Sequence, residues 1–278
     1  MRQGGYPKAR VGHGGTLDPL ASGVLPIAIG EATKLSGRML DADKAYDFTI
    51  RFGIETDTLD AEGQAIAESP VRPTLTGVEA VLPRFTGPID QLPPAFSALK
   101  VDGKRAYDLA RAGEEVVLAT RKVTIHSLSI LPELVSSGLG EELEGLTFSA
   151  RVSKGTYIRS LARDIAHALG TVGHVTMLRR TKAGPFPLEK AISLDILEEA
   201  ARAARLQELL LPLTAGLDDI PVLAVSPDQA AALRQGRRLA GPAAPPGLSL
   251  AMLGDTPIAL VEIDTDVKVV RGFNLMSE

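Results

Sequence analysis

Apolar and polar residues alternate with period two in several stretches of this chain, and that alternation predicts strands. From Ala45 to Gly53, Tyr46, Phe48, Ile50 and Phe52 share one face, with Asp47, Thr49 and Arg51 on the other. Arg121–Ile130 alternates in the same way, as do Leu146, Phe148, Ala150 and Val152 against Thr147, Ser149, Arg151 and Ser153. Helical spacing takes over at Ile158, Leu161, Ala162, Ile165, Ala166 and Leu169, which form one apolar face that Gly170 ends. Arg159 and Arg163 fall one turn apart on another face, and Val175–Leu178 reads as a strand. A short capped helix is predicted over Thr76–Phe85 and a longer one from Ser193 to about Leu211. Asp60–Gly63 reads as a turn. Toward the C-terminus, a helix opening at Ser226–Pro227 and strands near Leu248–Leu253, Pro257–Ile263 and Lys268–Val270 predict a small β-rich module beyond a break at Pro212–Pro221. Gly87–Leu99, with Pro88, Pro93 and Pro94, is too proline-rich for regular structure. Together with the basic, helical Gly103–Ala112 it is expected to be a surface insertion, about residues 87–118.

Composition narrows the chemistry. The 278 residues contain no Cys, which excludes disulfides, thiolate catalysis and Cys-ligated zinc. Four scattered His without metal-ligand spacing argue against a metal centre. No apolar run is long enough to span a bilayer and no signal-peptide pattern stands at Met1, so a cytoplasmic protein with no membrane partner is expected. Net charge is −4, yet Leu146–Lys182 carries seven basic residues (Arg151, Lys154, Arg159, Arg163, Arg179, Arg180 and Lys182) against Asp164 alone. Lys100, Lys104, Arg105 and Arg111 form a further basic group upstream. Such segregation permits a phosphate-binding stripe, although a charge run is more often a solvated face.

The richest candidate for chemistry is the loop Gly12-His13-Gly14-Gly15-Thr16-Leu17-Asp18-Pro19. Its glycines allow positive φ or close approach of backbone to a ligand. Pro19 suits a first helical position, which would put Asp18 at or near an N-cap. Capping alone would account for Asp18; a carboxylate held in a rigid loop could equally serve as nucleophile or general base. Tyr46 and Leu178 have apolar-face positions that fit core as well as ligand contact. Tyr157 could simply staple the strand-to-helix turn Lys154-Gly155-Thr156-Tyr157, and His13 has little packing around it.

The run from Val11 to Leu35, containing GHGGTLDPLASGVLPIAIGEATKL, resembles the catalytic motif of the TruB family of tRNA pseudouridine synthases. The similarity continues through Asp43-Lys44-Ala45-Tyr46, Thr56-Asp57-Thr58-Leu59-Asp60, Pro94-Ala95-Phe96-Ser97-Ala98-Leu99-Lys100, Lys154-Gly155-Thr156-Tyr157-Ile158-Arg159 and Leu178-Arg179-Arg180, in order, to Pro185. It implies an α+β fold with a mixed, largely antiparallel sheet and flanking helices, in a catalytic domain over 1–212. A small PUA-like RNA-binding module over 220–278 would follow, resembling the family only weakly. It further implies isomerisation of uridine to pseudouridine in the tRNA T-arm loop, at nucleotide 55, by a monomer that needs no cofactor and no metal. On that resemblance Asp18 is the catalytic aspartate, attacking C1′ or abstracting the C2′ proton, and Arg159 pairs with its charge. Tyr46 stacks on the flipped base, Tyr157 and Leu178 complete the pocket, with Tyr157 placed to handle the C5 proton, and His13 fills the space the base leaves. Lys100, Lys104, Arg105, Lys154, Arg179 and Arg180 would grip the RNA backbone.

Two departures stand out. Gly14 replaces the family's usual Thr, for which a mild effect is expected. Family members also carry a strand and a Lys-Pro-x-Gly motif before the catalytic loop, for which too little chain precedes Asp18 here. A chain without that strand is expected to be less stable and weakly active. Two rivals remain: a non-catalytic tRNA-binding or tRNA-folding protein that keeps the cleft, and a carboxylate hydrolase of nucleosides or sugars. The hydrolase would want two acids about the scissile bond, where the loop offers only Asp18.

Overall fold

A computed structural model describes residues 9–97, 99–101, 103–113, 118–131, 136–137, 142–241 and 244–275. The chain divides into two compact units. One takes the described parts of Met1–Gly15, Pro26–Leu40 and Lys190–Glu278; the other takes Thr16–Leu25 and Asp41–Glu189.

The second unit is built on one large sheet. Its strands are β1 (Ser22–Gly23), β2 (Lys44–Phe52), β3 (Gly87–Gln91), β4 (Arg121–Ile130), β5 (Leu143–Val152), β6 (Gly173–Ala183) and β7 (Phe186–Pro187). The spatial order is β7-β6-β2-β5-β4-β3, all antiparallel, with β1 joining β6 in parallel and Ser136–Ser137 pairing with β5. The alternation that predicts these strands decides which face is buried. Phe48, Ile50, Phe52, Leu146 and Phe148 have no exposed surface, and they pack with Ile158, Leu161, Ala162, Ile165 and Ala166 of the helix α1 (Ile158–Ala168). Each of the Phe, Ile and Leu side chains among them is worth about 1.5–3 kcal/mol of burial. Register carries the pattern across strands: Leu178, Phe48 and Phe148 lie in one row, and the Phe48 and Phe148 rings stack at 5.4 Å. The adjacent row is Arg180, Tyr46 and Ala150.

Several local expectations change. Gly87–Gln91 is not irregular insertion but β3, which pairs with β4. Pro88 is tolerated because β3 is the edge strand, where a missing N–H costs no ladder bond. The helix capped by Ser193 stops at Arg202, well short of Leu211. Ala204 adopts φ +55, and the Ala204 and Arg205 N–H groups close back on the Ala201 and Ala200 carbonyls, a left-handed stop made without glycine. Residues 114–117 of the expected insertion lie outside the described residues.

In the other unit, strands Val222–Ala224, Gly247–Leu253, Thr256–Ile263, Asp266–Gly272 and Leu239–Ala240 form a five-stranded sheet, in that spatial order. Helix Pro227–Arg234 covers it, entered through a capping box of Ser226 and Gln229. Ala230 and Leu233 of that helix join Val225, Ala251, Ile258, Val261 and Ile263 in an apolar core. Leu217, in the expected interdomain break, is buried in a cluster with Leu35, Leu250, Leu260 and Phe273. Gly14 is also buried: a Cβ there would come within 2.7 Å of the Met39 Cβ and 3.2 Å of the Pro26 Cβ, so the small residue is what this packing accepts.

Candidate active site

Asp18 does not cap a helix. It opens a turn in which its carbonyl accepts the Ala21 N–H at 2.9 Å, and Leu20 and Ala21 pack against the core of the large sheet. The turn leaves the carboxylate about one-third exposed, at 34%. Arg159, from the first turn of α1, meets it with both edges of its fork: Nε donates to Oδ2 at 2.9 Å and Nη2 to Oδ1 at 3.2 Å. Arg159 itself is 5% exposed, so its remaining donors must be satisfied inside the protein. Nη1 donates to the Thr58 carbonyl at 2.8 Å and Nη2 to the Phe96 carbonyl at 3.1 Å, and the Asp60 Oδ2 lies 3.6 Å from Nη1. A single buried cation thus faces two carboxylates, one open to solvent and one, Asp60, only 3% exposed.

The backbone that brings Thr58 and Asp60 to this cation is strained. Leu59 has φ +62, unusual for a residue with a side chain. Strand β6 holds it there: the Leu59 carbonyl accepts the Val175 N–H at 3.0 Å, and the Val175 carbonyl accepts the Ala61 N–H at 2.9 Å. The Asp60 Oδ1 takes the Thr58 hydroxyl at 2.6 Å and the Glu62 N–H at 3.1 Å, which leaves Oδ2 for Arg159.

Arg180 departs from the expected RNA-facing position. It is 1% exposed, because its strand position points it at the loop rather than at solvent. Its Nε donates to the Val24 carbonyl at 2.7 Å and Nη1 to the Thr16 carbonyl at 3.4 Å, while its own carbonyl accepts the Val24 N–H at 2.9 Å. Gly23 makes this close approach possible: at φ +99, a Cβ would lie 2.2 Å from the Arg180 carbonyl oxygen. Tyr46 is the cross-strand neighbour of Arg180. Burial pushes the Tyr46 phenol up, against the pull of Arg180 and with a contribution from the Asp18 charge, so it stays protonated at neutral pH. Lys44, two residues earlier and also buried, is pulled down to about 8, by burial first and the Arg180 charge second; its Nζ donates to the Ala42 carbonyl at 2.6 Å.

The structure therefore brings Asp18, Arg159 and Tyr46 together, with Leu178 buried in the row beside Tyr46. Tyr157 immediately precedes α1, and the Arg121 guanidinium lies 5.3 Å from its ring centroid. His13 belongs to the other unit, where it is exposed and its Nδ1 accepts the Gly15 N–H at 3.4 Å. The basic stripe is not a continuous solvated face: Arg159 and Arg180 are buried, Arg151 pairs with Asp43, and Lys154 pairs with Asp41. Lys104 and Arg179 are exposed, while the side chains of Lys100 and Arg105 lie outside the described residues. Asp60 and Gln91 are site neighbours that the sequence did not single out; the Thr56–Asp60 motif was the available signal for the first, and nothing local marked the second. No cluster able to hold a metal ion occurs among the described residues.

This buried guanidinium, forked onto a carboxylate in a glycine-bounded loop, lies in a chain whose family sequence comparison identifies. Residues 4–158 match the model of the TruB family pseudouridylate synthase N-terminal domain, and 159–218 match a tRNA pseudouridylate synthase B C-terminal domain. The chain belongs to the TruB family of pseudouridylate synthases, enzymes that isomerise uridine. Among its relatives, tRNA pseudouridine synthase B of Novosphingobium aromaticivorans is 62% identical over 99% of this chain and 90% of its own length. The proteins of the same name from Zymomonas mobilis and Caulobacter vibrioides are 58% and 50% identical, over 99% and 95% of this chain and 88% and 87% of their own. A solved H/ACA ribonucleoprotein bound to a substrate RNA containing 2′-deoxyuridine shares the fold, with TM-score 0.68 and 23% identity over 96% of this chain and 77% of that one. A Cbf5-Nop10-Gar1 complex gives TM-score 0.64 and 26% identity over 95% of this chain and 76% of the other.

Proposed function

We propose that this chain converts uridine to pseudouridine in the T-arm loop of tRNA, at nucleotide 55, with Asp18 as the reacting carboxylate. The observation that carries this is the doubly bonded Asp18–Arg159 pair, in which the guanidinium fixes both oxygens in place while a third of the carboxylate stays open to a ligand. The names of the relatives above support tRNA as the substrate, and the reaction is placed in the cytoplasm. The C1′–N1 bond breaks, the uracil turns and C5 joins C1′; C5 then gives up its proton and N1 takes one up, so that atoms and charge balance. Attack by Asp18 on C1′ and abstraction of the C2′ proton both need the carboxylate where Arg159 holds it. Tyr46, kept as a phenol, offers a ring on which the flipped base stacks, worth about 1–3 kcal/mol. Leu178 and Tyr157 close the pocket, Tyr157 toward the C5 proton, and His13 occupies the place the base vacates. Lys100, Lys104, Arg105, Lys154 and Arg179 hold phosphates; Arg180 supports the loop instead. Residues 1–212 form the catalytic domain and 220–278 a small RNA-binding module, acting as a monomer.

The test is release of tritium from C5-labelled uridine in a T-arm transcript, with the parent chain and Asp18→Asn. Release by the parent and none by the variant, with tRNA affinity nearly equal, is expected. Folded parent protein that binds the RNA without release would instead mean a tRNA-binding protein that keeps the cleft. A large loss of affinity in Asp18→Asn would make Asp18 chiefly structural.

A further inference from the structure

Gln91 has no exposed surface, although it sits on the edge strand β3 where its side chain could have faced water. Its amide is spent entirely on one residue. Oε1 accepts the Tyr157 N–H at 2.8 Å, and Nε2 donates to the Tyr157 carbonyl at 3.1 Å. Tyr157 is the residue that enters α1, where backbone N–H groups have no partner within the helix, and its side chain caps nothing. Gln91 thus supplies what the helix start lacks.

The same edge of the sheet holds the rest of the turn. Arg121, the cross-strand partner of Gln91, donates to the Gly155 carbonyl at 3.1 Å besides lying against the Tyr157 ring. The Leu92 carbonyl takes the Ser160 hydroxyl at 2.8 Å and the Arg163 Nη2 at 3.1 Å. The Phe96 carbonyl takes the Arg159 Nη2 at 3.1 Å. Segment Gln91–Phe96 is therefore tied to the first two turns of the helix that carries Arg159, and Gln91 is its most buried tie.

We propose that Gln91 is a positioning residue for the isomerisation: by clamping both backbone groups of Tyr157, it sets the Tyr157 ring and, two residues on, the Arg159 fork that orients Asp18. This rests on the Asp18 cleft being the isomerisation site. At neutral pH a primary amide of this length presents donor and acceptor together to the two backbone groups of one residue, which a carboxylate cannot. A displacement of the fork by about 1 Å is enough to cost on the order of 100-fold in rate.

The experiment compares parent, Gln91→Leu and Gln91→Glu in steady-state pseudouridine formation on a T-arm transcript across pH. Gln91→Leu is expected to lower kcat by roughly 30–100-fold with KM changed less than about threefold. Gln91→Glu carries the sharper readout. A carboxylate can accept the Tyr157 N–H but repels the Tyr157 carbonyl, whereas the protonated acid reproduces the amide. The ratio of Gln91→Glu kcat to parent kcat should therefore rise at least about fivefold as pH falls from roughly 8 to 5.5, within one folded protein. With an active parent, a folded Gln91→Leu whose kcat stays within threefold, or a Gln91→Glu ratio flat with pH, overturns the inference alone. An inactive parent overturns the reading of the site, and this inference with it.

Discussion

The two units of the molecule treat buried polarity in opposite ways. Among the described residues, the five-stranded sheet and its surrounding segments bury one polar residue, Ser249, beneath an otherwise aliphatic core. The unit that carries Asp18 buries Lys44, Asp60, Gln91, Arg159, His174 and Arg180, along with several hydroxyl residues. Burying an ion is expensive unless it is paired and fully hydrogen-bonded, so such groups persist where something other than stability retains them. In this unit the two buried arginines reach one loop, the one that carries Asp18. Arg159 fixes the carboxylate and Arg180 fixes the loop carbonyls. One unit is organised around positioned charge and the other around packing.

Four substitutions would break or sharpen that contrast. Arg159→Leu leaves Asp18 and Asp60 facing each other without their cation. It should cost about 3–5 kcal/mol in chemical denaturation and abolish pseudouridine formation. In the apolar sheet, Leu233→Ala should cost about 2–4 kcal/mol by the same measurement, yet leave kcat per folded molecule unchanged. A fall in kcat there would erase the proposed division. Arg180→Met keeps length but loses the bonds to Val24 and Thr16, and about 2–3 kcal/mol of stability with a clear drop in kcat is expected. The smallest effect is a pH dependence. Lys44 is lowered to about 8 in the folded chain, against 10.5 ordinarily. Between those values the unfolded chain binds more protons, so stability should rise with pH across that window and the benefit be lost as pH falls through 8. Denaturation midpoints of Lys44→Met should lack that rise; an identical profile in parent and variant would show that Lys44 does not titrate there.

Much of the framework was legible because alternation reports directly on which side of a strand meets the core. The faces read at Phe48-Ile50-Phe52 and Leu146-Phe148 are the buried ones, and the apolar stripe of Ile158–Leu169 packs on them. Reading failed where a local rule had two outcomes. Proline at position 88 signals irregular chain or an edge strand, and only the neighbouring β4 decides. Pro19 can open a helix or a turn, and here the turn wins. Arg179 and Arg180 look alike in sequence, yet one is exposed and the other 1% exposed, because adjacent strand residues point to opposite faces.

Most of the strand and helix framework, the glycine-bounded loop around Asp18 and the family those motifs belong to could be read from the chain alone. Each of these is written in residues close together along the chain, as periodicity, turn chemistry or contiguous motif. The pairing of Arg159 with Asp18, 141 residues away, was implied by the family resemblance, whereas its two-pronged geometry, the sharing of that cation by Asp60, the inward turn of Arg180 and the hold of Gln91 on the helix entrance came from tertiary packing. Periodicity says which face of an element is apolar, but which element crosses it is settled by packing between distant segments. A buried donor then takes whatever acceptor that packing brings within about 3 Å.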